Sequence, residues 1–182
     1  MVFVRGHEGH TTIVRSIPSI NNNEESTSSN DNVFLSGGQD GLIKLWDLRQ
    51  KGSSLRVRPG EQGSTITSLL LSSSCGMLNS VISITTDKAI VVLDGRMNLH
   101  EKLRFDNHHK DFIYSSTLFG PNILFTGDGS GMLLVHDLEE GNEKLCYGMG
   151  ANQGAVRFII PKERERKLVA GGDDGNIIEY SY

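Results

Sequence analysis

His10, Ser36 and Asp40 are the residue types of a hydrolase triad, in which serine attacks, imidazole accepts its proton and a carboxylate orients the ring. His7, His10, His108, His109 and His136 could likewise be counted as metal ligands. Neither chemistry survives a reading of the neighbouring residues. Ser36 sits inside an alternating run, Val33 to Gly37, so it belongs to the middle of a sheet strand, without the exposed elbow or the oxyanion hole that a nucleophile needs. The histidines have no accompanying Cys/His spacing, and Cys75 and Cys146 are 71 residues apart, which suggests neither a zinc knuckle nor a disulfide framework. The expectation is therefore no catalytic residue, no metal and no cofactor.

The elements that must position these residues centre on Val33 to Asp47, VFLSGGQDGLIKLWD. Asp40-Gly41 between two β-rich apolar runs is a hairpin signal, because glycine accepts the positive φ of a tight turn and aspartate tolerates it. The same strand, turn, strand figure returns at Val81–Asp94, Ile123–Asp137 and Leu168–Ser181. Turn residues Asp40, Asp87, Ser130 and Asp174 are spaced by 47, 43 and 44, and Asp47, Asp94, Asp137 and Ser181 keep that spacing. Such a constant offset defines an internal repeat of about 40–45 residues, the period of four-stranded propeller blades.

Composition agrees with an all-β chain. Of 182 residues, 21 are glycine, roughly 12% against a usual value of about 7%. A net charge of −4, with 18 basic and 22 acidic residues, argues against a general nucleic-acid surface. No run of about 18 apolar residues is present to span a bilayer, and MVFVRGHEGH is too short and polar for a signal peptide, so a cytoplasmic or nuclear protein and no membrane partner are expected.

Along the chain, Val2–Arg5 and Thr12–Ile17 read as strands, the second closed by Pro18. Asn21–Asn32, NNNEESTSSNDN, reads as a solvated, disordered inserted loop, either neutral drift or a site for phosphorylation of its serines. Leu55–Val57, Thr65–Leu71, Lys102–Phe105, Phe112–Phe119, Glu143–Tyr147 and Ala155–Ile160 are further strands, and Pro161–Lys167 is a mixed-charge connector. The repeats run over about 2–47, 54–94, 102–137 and 143–182, forming a single domain with no helix of any length.

On these residues the chain resembles the WD-repeat β-propeller family, whose repeats run from Gly-His to Trp-Asp. Gly9-His10 with Trp46-Asp47 carries both ends, and the other repeats are degenerate. In the family a buried histidine, a small hydroxyl residue, the turn aspartate and the tryptophan form a hydrogen-bonded set that locks each blade. The matching residues are His10, Ser36, Asp40 and Trp46, then Gln62, Ser83, Asp87 and Leu93, then His109, Thr126, Ser130 and His136, and finally Asn152, Ala170, Asp174 and Tyr180. The set is expected to be intact in the first repeat alone. The resemblance makes His10, Ser36 and Asp40 structural, because a buried imidazole must place both ring nitrogens.

The resemblance also implies a non-enzymatic scaffold or adaptor that binds a protein or peptide on the face carrying the hairpin turns. The matching positions are Ile13, Arg15 and Gln39, then Thr65, Thr67 and Thr86, then Phe112, Tyr114 and Gly129, then Ala155, Arg157 and Asp173. Arg15, Phe112, Tyr114 and Arg157 stand out, since arginine and aromatic side chains dominate interface hot spots. Phe112 has a second reading, as filler between blades. Alternatives are an RNA-binding subunit, and an enzyme or ligand-binding propeller using the central channel. Because rings of seven or eight blades are usual in the family, three arrangements are open: part of a larger propeller, a half-ring that self-associates or is completed by another chain, and a closed four-bladed ring.

Overall fold

The computed structural model describes residues 14–16, 33–47, 49–50, 53–74, 77–95, 98–139, 147–151 and 154–181. The strand at Val2–Arg5, His7, His10, Ile13, the insert at 21–32, Cys75, Cys146 and Asn152 lie outside these residues. Among the described residues every regular element is a β-strand except one 3-10 turn at Glu163–Glu165, within the expected mixed-charge connector.

The strands form four antiparallel sheets, each a meander in sequence order. The first contains β1 (Val14–Ser16), β2 (Val33–Gly38), β3 (Ile43–Asp47) and β4 (Ser53–Val57). The second contains β5 (Ile66–Ser74), β6 (Met77–Thr85), β7 (Ile90–Asp94) and β8 (His100–Phe105). The third contains β9 (Ile113–Phe119), β10 (Ile123–Asp128), β11 (Met132–Asp137) and β12 (Tyr147–Ala151). Three strands, β13 (Val156–Lys162), β14 (Lys167–Gly172) and β15 (Ile177–Ser181), make the fourth. The sheets are out of phase with the sequence repeats: β4, which opens the second repeat, pairs with β3 of the first. Likewise β12 pairs with β11; of the strand expected at 143–147, residues 143–146 lie outside the described residues.

One turn closes all four central hairpins. Gly41, Lys88, Gly131 and Gly175 each donate a backbone N–H to the carbonyl three residues earlier, on Gly38, Thr85, Asp128 and Gly172, at 3.0–3.3 Å. The donor has positive φ in every case, 73°, 68°, 89° and 75°. Three repeats meet that demand with glycine, and the second forces a lysine into it.

The chain divides into two compact units, Met1–Arg104 and Phe105–Tyr182. In the first, Leu35 and Ile43 of one sheet pack with Ile66, Leu69, Val81, Val91 and Leu93 of the next, all essentially sealed from solvent. A glycine makes the approach possible: a Cβ on Gly37 would lie 2.5 Å from Ile66 Cγ2. The second unit repeats the device. Phe125 and Leu133 pack with Val156, Ile159, Leu168 and Ala170, and a Cβ on Gly127 would lie 2.5 Å from Val156 Cγ1.

Candidate partner-binding surface and the buried locking sets

In the second, third and fourth sheets the residue that leads into the first strand meets the hairpin turn in one fixed way. The N–H of Thr86, Gly129 and Asp173 donates to the carbonyl of Thr65, Phe112 and Ala155 at 3.0, 2.9 and 3.1 Å. These are the first and third members of the trios that the repeat register groups together. Pairing just beyond that bond skips a residue in all four sheets. Val14 and Ser16 face Gly38 and Gly37, Ile66 and Ser68 face Thr85 and Ile84, Ile113 and Ser115 face Asp128 and Gly127, and Val156 and Phe158 face Gly172 and Gly171. The odd residues are Arg15, Thr67, Tyr114 and Arg157. A β-bulge leaves its extra residue out of the ladder and re-aims its side chain, which is how a strand otherwise committed to packing exposes Tyr114 and Arg157.

Thr67 turns its hydroxyl back onto the Ile84 carbonyl, at 3.0 Å. Tyr114 and Arg157 do the opposite and come together across neighbouring sheets of the second unit. The Arg157 guanidinium carbon lies 4.5 Å above the Tyr114 ring centroid. Its Nε and Nη2 each donate to a carboxylate oxygen of Asp173 at 2.7 Å. This fork holds the Asp173 carboxyl below its usual range and raises Arg157, both through their mutual hydrogen bonds. Tyr114 is 50% exposed and Phe112 47%, so Phe112 does not fill a gap between sheets. At Gly129 the Asp111 carboxylate and the Tyr114 ring edge fill the space a Cβ would take, so a larger residue there would have to shift the Asp111 side chain. Gln39 is exposed on the first hairpin turn, and Arg15 lies in β1.

The locking sets are interior. In the first repeat Trp46 Nε1 donates to Ser36 Oγ at 2.7 Å, and Asp40 accepts from the Leu42 N–H at 3.2 Å while its other oxygen lies 3.9 Å from a buried Lys44 Nζ. Asp87 in the second repeat accepts from Thr85 Oγ1, from Ser64 and from the Glu61 N–H. Burial alone would raise this carboxyl, and those hydrogen bonds bring it below its usual range. Gln62 is exposed and Leu93 replaces the indole, so the second repeat has only part of the set. In the fourth, Asp174 accepts from the backbone and side-chain nitrogens of Asn176 at 3.0 and 3.1 Å, while Ala170 occupies the hydroxyl position.

The third repeat corrects the sequence expectation that only the first would hold a complete set. His109 Nδ1 lies 3.1 Å from Asp128 Oδ2, His109 Nε2 lies 2.7 Å from Thr126 Oγ1, and Thr126 Oγ1 lies 2.8 Å from His136 Nε2. The acid is Asp128, not the register-matched Ser130, which instead donates its N–H and hydroxyl to Asp128 Oδ1 at 2.9 and 2.7 Å. A carboxylate can only accept, so His109 carries its proton on Nδ1. Thr126 then donates to His109 Nε2 and accepts from His136 Nε2–H. Among the described residues His136 Nδ1 has no protein partner, nor does Nδ1 of His108, whose ring lies parallel to that of His136 with centroids 6.0 Å apart. Burial, with His109 and His108 nearby, pushes His136 down to about 3, so its ring is neutral. The sequence offered a signal for Asp128: it lies two residues before the turn position, where the first and fourth repeats carry Gly38 and Gly172.

Residues 1–47 match the family model described as "WD domain, G-beta repeat". This segment is a WD repeat. It is also similar to "Restriction of telomere capping protein 1" of Debaryomyces hansenii, 46% identical over 46 residues, which are 25% of this chain and 3% of that protein. Across the whole chain the fold is that of designed propellers. The computationally designed Ika4 protein matches with a TM-score of 0.74 and 23% identity over 100% of this chain and 98% of its own. The designed Ika8 protein matches at 0.72 and 23%, over 96% of this chain and 47% of its own. The four sheets are thus propeller-type blades, with the WD repeat supplying most of the first. No helix among the described residues is long and apolar enough to cross a membrane.

Proposed function

We propose that this protein is a non-catalytic interaction scaffold of the cytoplasm or nucleus, which binds a protein or peptide partner on the surface formed by the bulged residues and hairpin turns. The observation that carries this reading is the cluster of Phe112, Tyr114, Arg157 and Asp173. Tyr114, half exposed, lies under an arginine already held in a fixed geometry by Asp173, and Phe112 on the same strand entry is about half exposed as well. Rigid aromatic and arginine anchors give contact area at low ordering cost, the make-up of interface hot spots. Asp173 accepts from Nε and Nη2 of Arg157 and offsets its positive charge, which weakens a phosphate-led RNA surface relative to a protein partner. Against catalysis stands the use of the polar groups: both ring nitrogens of His109 are taken by Asp128 and Thr126, and His136 Nε2 by Thr126, all of them buried.

The test is partner capture with wild type and a Tyr114→Ala/Arg157→Ala double variant, followed by identification of what is lost. The double variant should lose its partner while the circular dichroism spectrum and melting temperature stay as in wild type. Loss of folding would assign both residues to the core. Binding that collapses steeply as salt rises, with nucleic acid in the captured material, would replace the scaffold reading with the RNA one.

A further inference from the structure

The outer face of the fourth sheet carries apolar side chains that are exposed at positions the other sheets bury. Ile43, Ile90 and Leu133, at one repeat position, are 0%, 0% and 1% exposed, whereas Ile177 at the same position is 73% exposed. Beside it on that face are Phe158 and Ile160, 38% and 52% exposed, and the half-buried Val169. Register places Phe158, Gly171 and Ile177 in one row across the sheet, with Ile160, Val169 and Glu179 in the next. The opposite face, through Ile159, Leu168, Ala170 and Tyr180, belongs to the core of the second unit.

What fits such a face can be read from the two places where it is covered. Over Gly37 sits Ile66, with Leu69 three residues on; over Gly127 sits Val156, with Ile159 three residues on. The incoming element is in both cases the first strand of a sheet, with a β-branched residue and then an aliphatic one flanking the bulge. In the first repeat Val14 lies opposite Gly38, and the sequence has the same pair at the same spacing, with Ile17 three residues after Val14. One residue distinguishes the fourth sheet. Opposite its mid-strand position each other repeat has a serine, Ser16, Ser68 or Ser115, and Ser115 Oγ donates to the Val156 carbonyl of the following strand at 2.9 Å. Phe158 replaces that serine, and its ring lies across Gly171 in the place that Ile66 and Val156 take over Gly37 and Gly127.

We propose that the outer face of the fourth sheet is a docking surface for the first repeat of a second copy of this chain, and that the Phe158 ring is the plug that must swing aside for Val14 and Ile17 to enter. The rim asks for no charged partner, because Lys167 and Glu179 are paired at 2.6 Å and Lys162 lies 3.8 Å from Glu179. Association is then head to tail, fourth sheet to first repeat, and is driven by apolar burial.

The experiment is molar mass in solution as a function of protein concentration, by light scattering or sedimentation. Wild type should rise from the 20.0 kDa of one chain towards multiples of it. Phe158→Ser, which restores the serine of the other repeats, should associate at concentrations lower by about tenfold or more. Ile177→Glu, at an exposed site that leaves the fold intact, should remain a single chain, as should Val14→Glu where circular dichroism shows it folded. Mixing Val14→Glu with Ile177→Glu should restore pairs, since each variant keeps the half that the other lacks. The proposal is overturned if wild type and Phe158→Ser both stay monomeric, if Ile177→Glu still associates, or if the mixture of two folded variants forms no pairs.

Discussion

Asp128 Oδ2 lies 3.1 Å from His109 Nδ1 with both side chains fully sealed from solvent, and that contact fixes the proton positions along the chain that runs on through Thr126 to His136. The four groups form a directed chain of hydrogen bonds rather than a reactive centre. Each donor has one acceptor, and the imidazole most deprived of water is kept neutral.

Breaking that chain should cost stability. Asp128→Ala or Thr126→Val leaves buried histidine nitrogens without partners, a loss of about 1–3 kcal/mol for each stranded group. Ser130→Ala removes a single hydrogen bond near the surface and should cost about 1 kcal/mol or less. Urea unfolding monitored by circular dichroism measures all three, and an equal effect from Ser130→Ala would deny Asp128 its central place.

Acid should destabilise the protein through His136. Its folded value of about 3 lies below the 6.5 of an unperturbed imidazole, so below that pH the unfolded chain binds more protons than the folded one. The stability held by the neutral ring is fully present above pH 6.5 and is lost as pH falls from there towards 3. Asp128, also lowered, adds a loss in the same direction at still lower pH, below its ordinary 3.8. Urea midpoints taken between pH 8 and 5 should fall, and the slope should flatten in His136→Phe.

Lys88→Gly should stabilise. The lysine occupies a turn position with φ of 68° where the other three repeats place glycine. Left-handed backbone costs a side-chain-bearing residue about 1–2 kcal/mol, and glycine's extra freedom in the unfolded chain returns part of that. A net gain of about 0.5–1 kcal/mol is expected, read as a rise in the thermal midpoint.

Gly127→Val should destabilise by several kcal/mol, because even its Cβ would lie 2.5 Å from Val156 and 2.7 Å from Ser115 Oγ, inside a packed interface. The same change at Gly63, where a Cβ meets nothing, tests backbone strain alone, since φ there is 98°. Thermal melts of the two variants separate crowding from strain.

The repeat and its hairpins are legible in the sequence because turn chemistry is local: a positive φ is needed one residue after the turn positions 40, 87, 130 and 174, and Asp-Gly or a relative stands there. Tyr114 and Arg157 are legible because each lies five residues after its repeat's entry position, His109 and Asn152, and Asp173 because it immediately precedes the turn residue Asp174. Asp128 is hidden because register assigns residues by position, whereas a carboxylate reaches His109 from any backbone site near enough, here two residues earlier. The bulges are equally hidden. Arg15, Thr67, Tyr114 and Arg157 are two arginines, a threonine and a tyrosine, and only the pairing of the strands marks them as extra. The partnership of β3 with β4 crosses the boundary between repeats and follows from hydrogen bonding alone.

That crossing bears on how a chain of this kind can grow. A gene segment of one period that is copied in tandem inserts three strands of its own sheet and one strand of its neighbour's, so every ladder on either side finds its usual bonds. Lengthening by whole periods is therefore tolerated at any phase, while a cut placed at a sequence boundary parts two strands that belong together.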